Sequence, residues 1–164
     1  MIQHITSKFI AWIISVLNKN ETFKSNIKSI CNDYYVHESL KHFRVWGDPA
    51  RIKIGEQVHL NNAIFNTVSG NIEIGDYTFL GHCVSILTGT HDCSKMNSER
   101  QTAVPDSGRD VIIGKGVWIA SNATIIGPCR IGDHSAIGVG AVVIGDVEAQ
   151  SFYAGVPAKF VKRL

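Results

Sequence analysis

The chain has no strong excess of charge of either sign. Its 16 lysines and arginines exceed its 14 aspartates and glutamates by only two. That is too little for the continuous basic stripe that nucleic-acid binding needs, so nucleic acid is not an expected partner. Cysteine is scarce and scattered. Cys31, Cys83, Cys93 and Cys129 contain no C-x-x-C pair, which argues against a zinc knuckle and against a disulfide framework. They read as reduced, cytosolic thiols, and most are expected as small core residues, since free cysteine is commonly buried. A membrane-spanning hydrophobic run is lacking too. The apolar stretch Phe9 to Leu17 holds nine residues, where a spanning helix needs ~20. Asn18, Lys19, Asn20 and Glu21 follow it in place of a small-residue cleavage site, so a signal peptide is not expected.

What is present divides into two textures. With 164 residues and 45% hydrophobic content, the chain can bury a core as one domain without disulfides or metal. Up to about Asp33, Ile2, Ile5, Phe9, Trp12, Ile13 and Val16 recur at three- and four-residue steps with Gln3, Ser7, Ser15 and Asn18 between them. This spacing predicts an amphipathic helix. Three roles stand open for it: a cap on the open end of the downstream segment, a helix on a membrane surface helped by Lys8 and Lys19, or a partner interface. Residues 1–50 are thus read as a helical cap and lead-in, with residues 1–20 the segment that would touch a membrane.

From about Arg51 the texture changes to short β-branched stretches broken by glycine, and the period is six. From Ile113 an aliphatic residue returns at Ile119, Ile125, Ile131, Ile137 and Val143, usually followed by a small residue, as at Gly114, Ala120, Gly132 and Gly138. The third residue after the small one is itself small or β-branched: Val117, Ala123, Cys129, Ser135, Ala141 and Val147. Two positions in every six therefore point inward. An amphipathic strand repeats every two residues and a helix every 3.6, so neither explains a six-fold return, whereas a solenoid with three units per triangular coil does. The same phase appears at Ile54, Leu60, Ile74, Leu80 and Ile86, with a register break around Asn66 to Asn71. A longer interruption, residues 88–110, contains Thr90-His91-Asp92, Arg100, Pro105 and Gly108. Insertions in a solenoid become loops on one face, where function concentrates.

Thr90-His91-Asp92, the run Val111-Ile112-Ile113-Gly114-Lys115-Gly116-Val117-Trp118-Ile119, and Ala154-Gly155-Val156-Pro157-Ala158-Lys159 together carry a resemblance over roughly Ile52 to Leu164. The sequence resembles the hexapeptide-repeat O-acetyltransferases, the family of the maltose and galactoside acetyltransferases and of enzymes that modify bacterial surface polysaccharides. The resemblance implies an all-β fold: a left-handed parallel β-helix, residues 51–164, with an N-terminal helical cap and a long excursion loop. It also implies a homotrimer with active sites between subunits, and acetyl-coenzyme A as acyl donor with no metal.

Acyl transfer to a hydroxyl needs a base, because a neutral alcohol is a poor nucleophile. His91 matches the family's catalytic histidine. A zinc alternative comes from the γ-type carbonic anhydrases, which share the β-helix and place two ligand histidines five apart. Only His37 and His42 have that spacing here, and they precede the repeats. By resemblance the amide near Ser121 binds the oxyanion, while Trp118, Ala120, Ser121 and Val139 line the cofactor and Lys159, Lys162 and Arg163 lie near its phosphates. Gly145 stands where several relatives have lysine. Asn61, Asn62 and Asn66 are candidates for the acceptor's hydroxyls, although asparagine ladders at coil corners explain them equally well. Asp92 and Arg100 are further acceptor candidates. Ser69-Gly70 replaces the acidic corner residues of some galactoside enzymes, which argues against a galactoside.

The expected function is O-acetylation of a sugar in surface-polysaccharide or glycan synthesis, in the cytoplasm or at the inner face of the membrane. The alternatives are N-acetylation of an amino sugar nucleotide, whose enzymes usually carry an added N-terminal nucleotide-binding domain, and a non-catalytic β-helix scaffold. The long histidine-bearing loop favours an enzyme over the scaffold, because the fold does not need such a loop for stability.

Overall fold

A repeat of two inward positions in six can close only if the chain turns a corner after every short strand, and it does. The computed structural model describes residues 42–164, together with Glu21, Thr22 and Ser25, which are helical. Residues 1–20 of the expected N-terminal helix, with their membrane contact, and Cys31 fall outside the described residues. Leu40–Leu164 forms one unit.

Strands of two to five residues run β1 Arg44–Trp46, β2 Ile52–Ile54, β3 Ile64–Asn66, β4 Ile72–Ile74, β5 Phe79–Leu80, β6 Ser85–Leu87, β7 Val111–Ile113, β8 Trp118–Ile119, β9 Thr124–Ile126, β10 Cys129–Ile131, β11 Ala136–Ile137, β12 Val142–Val143, β13 Ser151–Ala154 and β14 Lys159–Arg163. A short helix, α1 (Asn97–Thr102), lies in the loop between β6 and β7. The strands form three sheets. Sheet A is β1-β3-β6-β9-β12, sheet B is β2-β4-β7-β10 and sheet C is β5-β8-β11-β13-β14. All pairings are parallel except β13 with β14, an antiparallel hairpin. The chain visits A, B and C in turn, so each circuit is one coil of a parallel β-helix. β1, within the expected lead-in, already pairs with β3.

Register stacks like on like along the axis. Phe65, Ile86, Ile125 and Val143 form the inward column of sheet A. Ile54, Ile74, Ile113 and Ile131 form that of sheet B. Leu80, Ile119 and Ile137 form that of sheet C. All but Ile54 are buried. Ile54 is 44% exposed, because β2 is the edge of its sheet and no described coil strand covers it. The second inward position holds Val117, Ala123, Cys129, Ser135, Ala141 and Val147, all at most 4% exposed. Corners are narrow, and only small or β-branched side chains fit there at native packing density.

The register break has a geometric explanation. The corner after Leu60 is one residue short, so Phe65 takes the column position, and residues 67–71 then bulge before β4. This bulge and the 88–110 loop leave the coil at the same corner, between sheets A and B. The loop rests on the bulge: Arg109 N donates to Ser69 O (3.2 Å), Arg109 Nε to Thr88 O (2.8 Å), and Asn71 N to Asp110 Oδ1 (2.7 Å). Arg51 clamps both, with Nη1 on Thr67 O and Val68 O and Nη2 on Asp106 O (2.7 Å).

At the corner between sheets B and C, a Cβ added to Gly75 would lie 2.7 Å from the backbone carbon and oxygen of Gly114. Neither can yield without moving the next coil. Gly75→Ala is therefore expected to cost about 1–3 kcal/mol, checked by thermal unfolding at fixed protein concentration.

Candidate active site

The loop after β6 folds into a unit of its own. Thr90, His91, Asp92, Thr102, Ala103, Val104 and Pro105 line a cleft of about 510 Å³. Asp92 N donates to Ala103 O (2.8 Å) and closes the base of the loop. His91 Nδ1 lies 2.8 Å from the backbone oxygen of Arg100. A carbonyl only accepts, so this partner assigns the proton to Nδ1 and leaves the Nε2 lone pair as the acceptor. The Asp92 carboxyl accepts from the Ser94 hydroxyl (2.7 Å) and the Ser94 amide (2.9 Å) through Oδ1. These two bonds, the hydroxyl foremost, hold it below the usual carboxylate range, so the cleft keeps a negative charge beside His91.

A different corner, between sheets C and A, carries Ser121. Here the coils stack as Leu80-Gly81-His82-Cys83, Ile119-Ala120-Ser121-Asn122 and Ile137-Gly138-Val139-Gly140. Ser121 Oγ accepts from His82 N (3.0 Å), and Ser121 O accepts from Gly140 N (3.0 Å). The neighbouring amides are used by the coil, Ala120 N on Ile137 O and Asn122 N on His82 O (both 2.9 Å). Among the described residues the Ser121 amide makes no hydrogen bond. Ala120 is buried, while Val139 is 71% exposed at the tip of the next corner, between Gly138 and Gly140. Gly140 has φ +65°, a conformation open to glycine at little cost.

The outer face of sheet C is aromatic. Trp118 stacks on Phe79 with ring centroids 6.2 Å apart and 13° between planes, and both are about half exposed. Trp118 shares an apolar cleft of about 380 Å³ with His134, Phe152 and Lys162. The three C-terminal cations separate. Lys159 lines another cleft, of about 290 Å³, with Gly145, Tyr153 and Phe160. Arg163 pairs with Glu148 and donates to Ala149 O (3.1 Å), its guanidinium 5.8 Å from the Phe160 ring.

The acceptor candidates separate as well. Asn61 Nδ2 donates to Leu80 O (2.6 Å), and Asn62 accepts from Cys83 N (2.8 Å) and donates to Cys83 Sγ (3.4 Å). Both bind the next coil at the corner between sheets C and A, as ladder asparagines do. Asn66 lies at the loop corner and accepts from Val68 N (3.0 Å). The Arg100 guanidinium bonds within its own loop, Nε to Lys95 O (2.7 Å) and Nη2 to Cys93 O (3.1 Å). His91, Asp92, Arg100 and Asn66 thus share one corner, and Ser121, Val139, Asn61 and Asn62 share another.

Of the cysteines, Cys83 and Cys93 are exposed, contrary to the expectation of core residues. They occupy a corner and the loop, where no inward position is available. Cys129 is a corner filler, and burial pushes its thiol up to about 12. Among the described residues no three histidine, cysteine, aspartate or glutamate side chains converge as metal ligands, and no helix is long and apolar enough to cross a membrane. The packing of Gly81 and His82 on Ser121 escaped the sequence reading. His82 lies 39 residues from Ser121, with Gly81 next to it, and the loop insertion hides that they are only one coil apart.

Residues 110–145 match the family described as bacterial transferase hexapeptide (six repeats). A protein of Escherichia coli named for lipopolysaccharide biosynthesis O-acetyl transfer is 27% identical over 118 residues, covering 68% of this chain and 60% of that protein. A maltose O-acetyltransferase from Clostridium difficile superposes with a TM-score of 0.62 at 29% identity, covering 76% of this chain and 67% of the other. A hexapeptide-repeat acetyltransferase from Vibrio cholerae, complexed with acetyl-coenzyme A, gives 0.64 at 25% identity, covering 74% and 64%. The chain spans about 57–60% of the length of such curated relatives. Its coil is thus the left-handed parallel β-helix of the hexapeptide-repeat acetyltransferases, and it resembles that family in sequence as well as in fold.

Proposed function

We propose that the protein is an acetyl-coenzyme A-dependent O-acetyltransferase that acts on a sugar hydroxyl in surface-polysaccharide or related glycan synthesis, with His91 as general base. The observation that carries this reading is the Nδ1 contact of His91 with the Arg100 carbonyl. It leaves Nε2 as an acceptor at an open cleft. Nε2 takes the acceptor's hydroxyl proton as its oxygen attacks the thioester carbonyl. The tetrahedral oxyanion is met by the uncommitted Ser121 amide. Collapse breaks the carbon–sulfur bond, and the proton passes from His91 to the departing thiolate, giving the ester and free coenzyme A. The Trp118 cleft, with Lys162 at its edge, suits the donor's apolar arm and its phosphates.

His91 and Ser121 leave one coil at different corners of the prism, and the His91 cleft is lined by loop residues alone. This supports a homotrimer, in which the loop corner of one subunit meets the Ser121 corner of the next. Bound donor would then lie between copies. The exposed thiols suit a reducing cytoplasm.

Isothermal calorimetry with acetyl-coenzyme A, with light scattering on the same sample, tests the reading. One site per subunit in a trimer is expected, followed by acetyl transfer to one member of a panel of sugars and sugar nucleotides. A monomer, or no heat at millimolar donor, would sink it.

A further inference from the structure

The 88–110 loop has no hydrophobic core of its own. No residue of α1 is buried, and Met96 is 66% exposed. An exposed loop of this length stays in one conformation only if polar contacts fix it. Arg51 and Arg109 tie its C-terminal arm to the coil, and Asp92 N on Ala103 O closes its base; between these, the guanidinium of Arg100 ties the segment that faces His91. Nε donates to Lys95 O (2.7 Å), Nη2 donates to Cys93 O (3.1 Å), and Nη2 also lies 3.6 Å from Met96 Sδ. Arg100 N donates to Met96 O (3.3 Å). The residue therefore gathers the chain from Cys93 to Met96 with its side chain while its own carbonyl holds His91 Nδ1.

We propose that Arg100 is a positioning residue rather than an acceptor contact: its guanidinium locks the loop so that its carbonyl selects the Nδ1-protonated tautomer of His91. The inference rests on the reading of His91 as the base. Arginine is the residue type this needs. Its planar fork reaches two carbonyls at a fixed angle, whereas lysine offers a single point charge on a flexible stem. Without the fork, the Cys93 and Lys95 carbonyls turn to water, α1 frays, and the Arg100 carbonyl no longer meets the imidazole. His91 then samples both tautomers, and in the wrong one Nε2 carries the proton it should receive.

The test compares Arg100→Met and Arg100→Lys with the parent protein, using ¹⁵N NMR of the neutral imidazole at alkaline pH and steady-state kinetics. In the parent, His91 should show a protonated Nδ1 and a bare Nε2. Arg100→Met should give a tautomer mixture and a kcat lower by roughly 10- to 100-fold, as misplacement of a catalytic group does. Acceptor KM should stay within about twofold of the parent value, since the guanidinium is given no substrate contact. Arg100→Lys should fall between the two. An unchanged tautomer, or an intact kcat with a raised acceptor KM, would overturn the proposal, the second outcome restoring Arg100 to the acceptor site. Full turnover in His91→Ala together with a tautomer shift in Arg100→Met would instead defeat the base assignment and leave the positioning role standing.

Discussion

Replacing His91 with alanine lowers kcat for acetyl transfer by about 10²–10⁴-fold, the usual worth of a general base, and leaves acetyl-coenzyme A affinity and thermal stability at parent values. The size of the effect follows from the nucleophile. A sugar hydroxyl is hardly ionised at neutral pH, so attack on a thioester stalls unless a base takes the proton as the new bond forms. Asp92 is no substitute, because its Oδ1 is engaged by Ser94 and the carboxyl is held in the charged, weakly basic state by those bonds. The fold tolerates the change. His91 is exposed, and its ring makes one hydrogen bond, to a backbone carbonyl that water can satisfy in its place. Titration calorimetry, thermal unfolding and single-turnover kinetics separate the three quantities. A variant that binds donor and turns over at the parent rate would remove His91 from the mechanism.

The second large effect falls at a residue that touches no substrate. A Cβ at Gly81 would press inside van der Waals contact of Ser121 N, 2.6 Å from Ser121 Oγ and 2.8 Å from its Cα. The obstructing atoms belong to the backbone or sit next to it, so Gly81→Ala must push the Ser121 corner outward. An oxyanion donor works only within 2.7–3.1 Å of the charge it stabilises, and losing one costs about 10²–10³-fold in kcat. We expect kcat in Gly81→Ala to fall by about that factor, with little change in donor binding. Gly75→Ala is the matched control, because it creates a comparable backbone clash at a corner remote from both His91 and Ser121. It should lose stability but little kcat once folded. Equal kcat values in the two variants would remove the Ser121 amide from the oxyanion site.

The coil was legible because its stabilising pattern is local. Each aliphatic residue from Ile113 to Val143 occupies an inward column, and each small residue four places on fills a corner, as the six-residue period requires. Even the break at residues 66–71 marks a true bulge. Neither its cause, the short corner after Leu60, nor the place of Phe65 in the column of sheet A could be read from periodicity, because both depend on which strand pairs with which. The antiparallel hairpin of β13 and β14 was likewise unforeseen. It ends the solenoid by reversing direction, which a repeat cannot announce.

By itself, then, the sequence determined the period, the two inward positions, the point in the repeat where the loop interrupts it and the presence of one histidine at the loop's start. These depend on residues within one or two hexapeptides of each other. Tertiary structure decided which chemistry-bearing groups meet. It put Arg100 O on His91 Nδ1 and folded the Arg100 guanidinium back onto the Cys93 and Lys95 carbonyls of its own loop. It stacked His82 on Ser121 across 39 residues, with Gly81 beside it, and it set the His91 and Ser121 corners apart on one prism. The physical reason is that coil-to-coil contacts join residues separated by a full circuit plus any inserted loop. That distance depends on the insertions, not on the repeat.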